Sequence, residues 1–398
     1  MKKEGLLEGV TVLDLTRVLA GPYSGMLLAD MGANVIKIEV PGRGDDSRAF
    51  GPFINGESAY YMNLNRNKRG VTLNLKTEEG KEIFKNLVKC ADIVLENFRP
   101  GTMEKLGLGY DVLKEINPGI IYGAVSGFGH YGPYSNRAGY DIIGQAMGGL
   151  MSTTGWPDGE PTRTGTAMGD VLAGLSVTIG VLAALYNKKI TGIGEKIDVA
   201  LVDSVVSSLE IITQIYLATG RVPERIGNRY ESTYPYDSFR VTDGSIVIAC
   251  GNDKLFKLLA DLMGEPDLVN DERFLTNALR VKNHADLKAI IEKWTIQFPI
   301  DEIVEKLLGV GIPAAPINTI DRIVKDPHIV EAREMFVEVE HPVAGKTKLT
   351  GNHIKFNDHS SGIRKSAPIL GQDNAEVYME LLGLDEAKVK EYTERGII

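Results

Sequence analysis

The chain of 398 residues is poor in cysteine, has no excess of positive charge and carries no long unbroken apolar run, and each shortage removes a class of chemistry. Its two cysteines, Cys90 and Cys250, sit far apart in the apolar runs LVKC and IVIAC. One such pair makes neither a disulfide framework nor a metal knuckle, so each reads as a small buried hydrophobe. The six histidines form no HExxH or other ligand pair, and no serine occupies a GxSxG elbow. No metal site and no Ser/His/Asp hydrolysis are therefore expected. Lys and Arg number 44 against 53 Asp and Glu, a net charge of −9, which argues against nucleic acid as a partner. The longest apolar stretch, Val171 to Tyr186, is broken by Gly174, Ser176, Thr178 and Gly180 and reads as a buried core helix rather than a membrane span. At the N-terminus, Glu4, Glu8 and Asp14 come before any apolar stretch of signal-peptide length, so a cytoplasmic protein with no membrane partner is expected.

What is present is an ordinary globular composition, 43% hydrophobic and 24% charged, arranged as alternating strand and helix patterns. Strand candidates are Val10 to Leu15, Val35 to Glu39, Val71 to Leu73, Ile93 to Leu95 and Ile120 to Val125. Thr77 is placed to cap a helix whose Ile83, Phe84, Leu87 and Val88 share one face. This alternation predicts an α/β fold with a parallel sheet. The sequence DSVVSSLEIITQIYLATG predicts one long helix ending at Gly220. The expected organisation is a first α/β part over residues 1–200, a linker helix over 201–224, a small domain over 225–315 and a return segment over 316–398.

Few residues stand out chemically. Gly42-Arg43-Gly44 lacks a third glycine and LAGPYSG lacks the lysine of a P-loop, so neither a nicotinamide nor a nucleoside triphosphate site is supported. Asp170, in TAMGDVLAG, opens the apolar helix; there free N–H groups and the helix dipole would keep a carboxylate ionised and oriented. Such a group is either a nucleophile or an N-cap, and Gly169 before it leaves space for a substrate. Arg66, Lys68 and Arg69 with Lys76, and Arg99 with Lys105, fall at strand ends, where they are either anion ligands or solvated charges. The glycine-rich SGFGHYGPYSNRAGYDIIGQ reads as a long functional loop carrying Arg137, Tyr140 and Asp141.

The motifs VLDLTRVLAGP, GANVIKIEVPGRGDDSR, LNRNKRGVTLNLKTEEGK, VLENFRPG, LGLGYDVLKEINPGIIYGAVSGFGHYGP, RAGYDIIGQAMGGLMSTTG, AMGDVLAG and APILGQDNAEV, in this order, resemble the class III CoA-transferase family. That family includes formyl-CoA transferase, carnitine CoA-transferase and, with altered chemistry, α-methylacyl-CoA racemase. The resemblance spans essentially the whole chain, and it looks greatest toward the dicarboxylate branch, such as succinate-hydroxymethylglutarate CoA-transferase. It implies a large Rossmann-like lobe built from both chain ends, a small α+β lobe and an interlocked, ring-like homodimer. It also implies Asp170 as nucleophile, coenzyme A and acyl-CoA as substrates with a small carboxylic acid as co-substrate, and no permanently bound cofactor. Positions matching the family's CoA contacts are Leu19, Ala20, Val40, Leu73, Asn74, Leu75, Lys76, Asn97, Phe98, Arg99, Lys105, Arg137, Ala138, Gly139, Tyr140 and Asp141. Lys76, Lys105 and Arg137 have the charge to meet CoA phosphates, and Arg17 and Arg163 are the candidates for a distal substrate carboxylate. Leu19 replaces the glutamine of the formyl-CoA branch, and GNRYESTYPYDSF replaces its tetraglycine loop, which makes oxalate a doubtful acceptor. Tyr140 replaces the catalytic histidine of the racemases, and a phenol of pKa about 10 is a poor base beside an imidazole of about 6.5. A racemase or epimerase of the same fold and a non-catalytic CoA-binding protein remain the alternatives.

Overall fold

A computed structural model describes residues 5–398. By contact density the chain divides into one unit of residues 1–150, 163–214 and 326–398, and a second of 151–162 and 215–325. The first unit is organised on a sheet of six strands: β1 (Thr11–Asp14), β2 (Asn34–Glu39), β3 (Arg69–Thr72), β4 (Ile93–Glu96), β5 (Ile121–Ser126) and β6 (Lys196–Ala200). Their order is β3-β2-β1-β4-β5-β6 and every pairing is parallel. This is the doubly wound order, in which the direction of winding reverses between β1 and β4 and a crevice opens beyond their carboxyl ends.

Each strand alternates between two cores because successive side chains point to opposite faces. Val12, Val35, Ile93, Leu95, Ile121 and Val125 meet the helices α1 (Ala20–Asp30) and α3 (Met168–Thr191), where Leu27, Leu28, Ala173, Val177 and Val181 are buried. On the other face Leu13, Ile36, Val94 and Tyr122 meet Phe84, Leu87 and Val88 of α2 (Glu78–Lys89) and Val377 and Tyr378 of the helix Asn374–Leu382. Thr77 does cap α2, accepting the N–H of Gly80 at 3.0 Å. The small unit is an antiparallel sheet of Tyr236–Val241, Gly244–Ala249 and Ala314–Pro316, with helices Asp253–Met263, His284–Thr295 and Ile300–Gly309 around Phe239, Phe256, Leu287 and Ile303.

Three local expectations fail. The single long helix is two, α4 (Leu201–Ser208) and a helix from Glu210 to Thr219, bent by 75° where Glu210 takes φ +35°. Apolar periodicity continues through the break, so the pattern alone cannot reveal it. The apolar helix α3 runs 24 residues, longer than its apolar core, and only one face is covered: Ile179, Tyr186 and Ile190 are each more than two-thirds exposed. Cys90 is exposed at the end of α2, whereas Cys250 is buried, because the run LVKC ends with its last residue already past the packed turn.

Candidate active site

The carboxyl end of the sheet carries the loops that build the site. The turn after β1 brings Arg17 to Ala20, the turn after β4 brings Asn97 to Pro100, and the loop after β5 brings Arg137 to Tyr140. Together with Asp46, Ser126, Leu201 and Asp170 they enclose a cleft of about 240 Å³. Beside it, Val40, Asn74, Leu75, Lys76, Thr102, Lys105 and Leu106 line a larger apolar cleft of about 560 Å³. Arg17 and Phe98 belong to both clefts, the guanidinium lying 5.0 Å from the ring centroid. This is the crevice at the β1/β4 switch point.

Asp170 reaches the cleft from the first turn of α3, whose N-cap is Ala167. Gly174 permits the close approach of α3 to α1, since a Cβ there would lie 2.7 Å from the carbonyl oxygen of Ala20. Asp170 is not the cap. Asp141 accepts the N–H groups of Gly169 at 2.8 Å and Asp170 at 3.3 Å, and its other oxygen accepts from Gln145 at 2.8 Å. The space at Gly169 is likewise occupied by Asp141, 3.1 Å from where a Cβ would stand, rather than held open for substrate. The Asp170 carboxylate has no hydrogen-bond donor among the described residues. Burial, and then the charge of Asp141, push its pKa up to about 7 instead of holding it ionised. A carboxylate short of donors and poorly hydrated is correspondingly more basic and more nucleophilic. Tyr60, half-buried and edge-on to Phe50 at 5.8 Å, is pushed up to about 12 by burial and by Asp170, so its phenol stays protonated near neutrality.

Other sequence candidates divide cleanly. Lys76 and Lys105 share the larger cleft, while Arg99 and Arg137 line the smaller one, Arg137 stacked 3.6 Å from the Tyr134 ring. Leu73 is a core residue, and neither it, Asp141 nor Arg163 lines either cleft. Arg163 lies 3.9 Å from Asp141 instead. Arg66 and Lys68 are neither ligands nor solvated: they are buried against Asp30 and Asp14, at 2.7 and 2.8 Å. Among the described residues no three His, Cys, Asp or Glu side chains are grouped so as to hold a metal ion. Sequence reasoning passed over Val18, Ser126 and Leu201, which have no distinctive side-chain chemistry, and Asp46, a carboxylate whose pairing with Arg17 at 3.5 Å and Arg43 at 2.7 Å no spacing in the sequence announces.

Against known proteins, the chain matches CoA-transferase family III over residues 7–374. It belongs to that family. The succinyl-CoA–D-citramalate CoA-transferase of Chloroflexus aurantiacus is 40% identical over 96% of this chain and 95% of its own length. Human succinyl-CoA:glutarate CoA-transferase is 38% identical over 98% and 90% respectively. The acetyl-CoA:oxalate CoA-transferase of Acetobacter aceti is also 40% identical, over 95% and 96%, so overall identity does not separate an oxalate enzyme from the dicarboxylate group. In structure, a CAIB/BAIF family protein from Brucella suis, 41% identical, superposes with a TM-score of 0.85 over 95% of this chain and all of that one. The class III CoA-transferase assignment therefore covers the whole sheet and the crevice at its carboxyl end.

Proposed function

We propose that this protein transfers CoA from succinyl-CoA, or another short acyl-CoA, to a carboxylic acid through covalent intermediates on Asp170. The observation that carries the reading is the Asp170 carboxylate, free of hydrogen-bond donors among the described residues, in a cleft that adjoins a larger apolar cleft edged by Lys76 and Lys105. Attack of the carboxylate on the thioester carbonyl breaks the C–S bond and leaves a mixed anhydride and CoA thiolate. The thiolate then attacks the Asp170 carbonyl carbon, the anhydride C–O bond breaks, and the donor acid leaves as its carboxylate. The aspartyl-CoA thioester passes CoA to the incoming acid by the same two steps in reverse. No proton, electron or water is consumed, so the thioester is conserved as long as water stays out of the anhydride's reach.

In this reading Lys76 and Lys105 meet CoA phosphates, with Val40, Asn74 and Leu75 beside them. Leu19, Ala20, Asn97, Phe98, Arg99 and the Arg137–Tyr140 loop surround the thioester end. Arg17, common to both clefts, receives the distal carboxylate of the acid, a role for which it is better sited than Arg163. Relatives that use succinyl-CoA and dicarboxylates support a dicarboxylate acceptor. A homodimer is supported by the uncovered Ile179, Tyr186 and Ile190 of α3 and by Tyr216 and Leu217, exposed apolar residues of the kind a partner copy covers, and its interlocked arrangement rests on the family resemblance. Incubation with succinyl-CoA and a panel of glutarate, citramalate, mesaconate and oxalate, read by mass spectrometry, should yield a new acyl-CoA with at least one acid. Absence of exchange with every acid, together with α-deuterium uptake from heavy water, would replace this reading by a racemase.

A further inference from the structure

Val18 takes φ +68°, a left-handed conformation that a β-branched residue adopts only under constraint, and it lines the Asp170 cleft. Around it, the backbone of Thr16 to Val18 is tied down almost entirely by side chains. The N–H of Thr16 donates to Asp14 at 2.9 Å and its carbonyl accepts from Lys37. Arg17 exchanges two bonds with the Asn97 amide, its N–H donating to Oδ1 and its carbonyl accepting from Nδ2, each at 2.7 Å. The N–H of Val18 donates to Asp45 at 3.2 Å. Asp45 is itself fixed by Lys37 at 2.8 Å and by the N–H and hydroxyl of Ser47, and neither Lys37 nor Asp45 has any exposed side-chain surface. Asp14 ends β1, Lys37 lies on β2, Asn97 follows β4 and Asp45 stands in the loop after β2, so three neighbouring strands and one connecting loop set where this turn stands. Immediately after the turn, Leu19 and Ala20 begin α1 and face the same cleft as Asp170, and Arg17 parts the two clefts.

We propose that the strained turn Thr16–Val18, clamped by Lys37, Asp45 and Asn97, is the positioning element that sets Arg17 and the start of α1 against Asp170. Building on the transferase reading above, it assigns positioning roles to Val18, Lys37 and Asp45. It also makes the Asn97 amide a clamp on the Arg17 backbone at the edge of the thioester end of the cleft. A turn free to relax would spread Arg17 over several positions, and loss of near-attack geometry acts on turnover more than on binding. A strained conformation held at a site is kept only where the surroundings over-determine it, as the five side-chain bonds to these three residues do here.

The test is the variant Val18→Gly, since glycine adopts this φ without strain. Succinyl-CoA-dependent CoA exchange should fall in kcat by roughly ten- to a hundredfold. KM for succinyl-CoA should stay within about threefold because the Lys76/Lys105 cleft is untouched. Tm should be equal to or above that of the native protein. Val18→Ala, which keeps the strained conformation and shortens the side chain, should retain kcat within a few-fold. The proposal is overturned if Val18→Gly turns over at the native rate, if its Tm drops by several degrees, or if Val18→Ala loses as much activity as Val18→Gly. Failure of the native protein to exchange CoA with any acid would sink the transferase reading instead, which keeps the two failures apart.

Discussion

Asp45 and Asp170 are both withdrawn from water within the same unit, yet their carboxylates are driven in opposite directions. Burial works against the charge of Asp45, but Lys37 at 2.8 Å and two bonds from Ser47 outweigh it and hold the group down to about 2. Burial also acts on Asp170, and there, among the described residues, the charge that adds to it is the like charge of Asp141, so the group is pushed up to about 7. A paired buried carboxylate is inert because its charge is already spent on neighbours; an unpaired one is reactive because nothing has claimed it. The shift alone is not the criterion. Glu96 is also raised to about 7 by burial, but its carboxylate accepts the N–H of Phe98 at 2.7 Å and lines neither cleft. Access to the cleft separates Asp170 from Glu96, and lack of a cation separates it from Asp45.

The contrast has opposite linkage signs. A depressed pKa stabilises the fold above the unfolded value of 3.8, and for Asp45 that contribution is lost as pH falls toward about 2. For Asp170 the raised pKa means the folded state prefers the protonated acid, so ionisation costs stability increasingly as pH rises from 3.8 to about 7.

The largest expected effect is at Asp170: Asp170→Asn should lower CoA exchange by about a thousandfold or more while the protein remains folded. Thermal melts should show this variant more stable than the native protein at pH 8 and similar to it near pH 4; a loss of stability at pH 8 would mean that Asp170 has a partner after all. Next, Lys37→Met leaves Asp45 buried and unpaired and should cost about 3–5 kcal/mol in denaturant unfolding, with much of it regained in the double variant Lys37→Met/Asp45→Leu. Lys76→Ala and Lys105→Ala should each raise KM for succinyl-CoA by about tenfold with little change in kcat, as loss of one charge-assisted phosphate contact predicts. The smallest effect is on the pH profile. Exchange by the native protein should rise with pH through about 7, and Asp141→Asn, which removes a like charge but keeps an oxygen to accept the Gly169 N–H, should move that rise toward acid.

Local pattern carried the reading far at the sheet and at α2, because period-two alternation and an N-cap at Thr77 are properties of a few adjacent residues. It failed where the deciding contact was distant. The break at Glu210 interrupts an unchanged apolar pattern, Cys90 looks like any buried cysteine, and the clustered cations Arg66, Lys68 and Lys76 are indistinguishable in sequence although two are buried in ion pairs and one lines a cleft. Asp170 was legible as a carboxylate at the mouth of a helix, but the sequence could not choose between nucleophile and cap, because the residue that accepts the helix N–H groups, Asp141, stands 29 residues earlier.

The sequence by itself determined the α/β alternation, the absence of nucleotide-loop and metal-ligand spacings, and, through motifs in register, the family. Tertiary structure alone decided which carboxylates are paired, that Asp141 takes the helix N–H groups that Asp170 would otherwise use, and that Val18 is forced into a left-handed turn. The physical reason is that a charge's behaviour depends on water and on partners within a few ångströms, and those partners come from β2, the loop after it and the helix Asp141–Met147, which only the fold brings to these carboxylates.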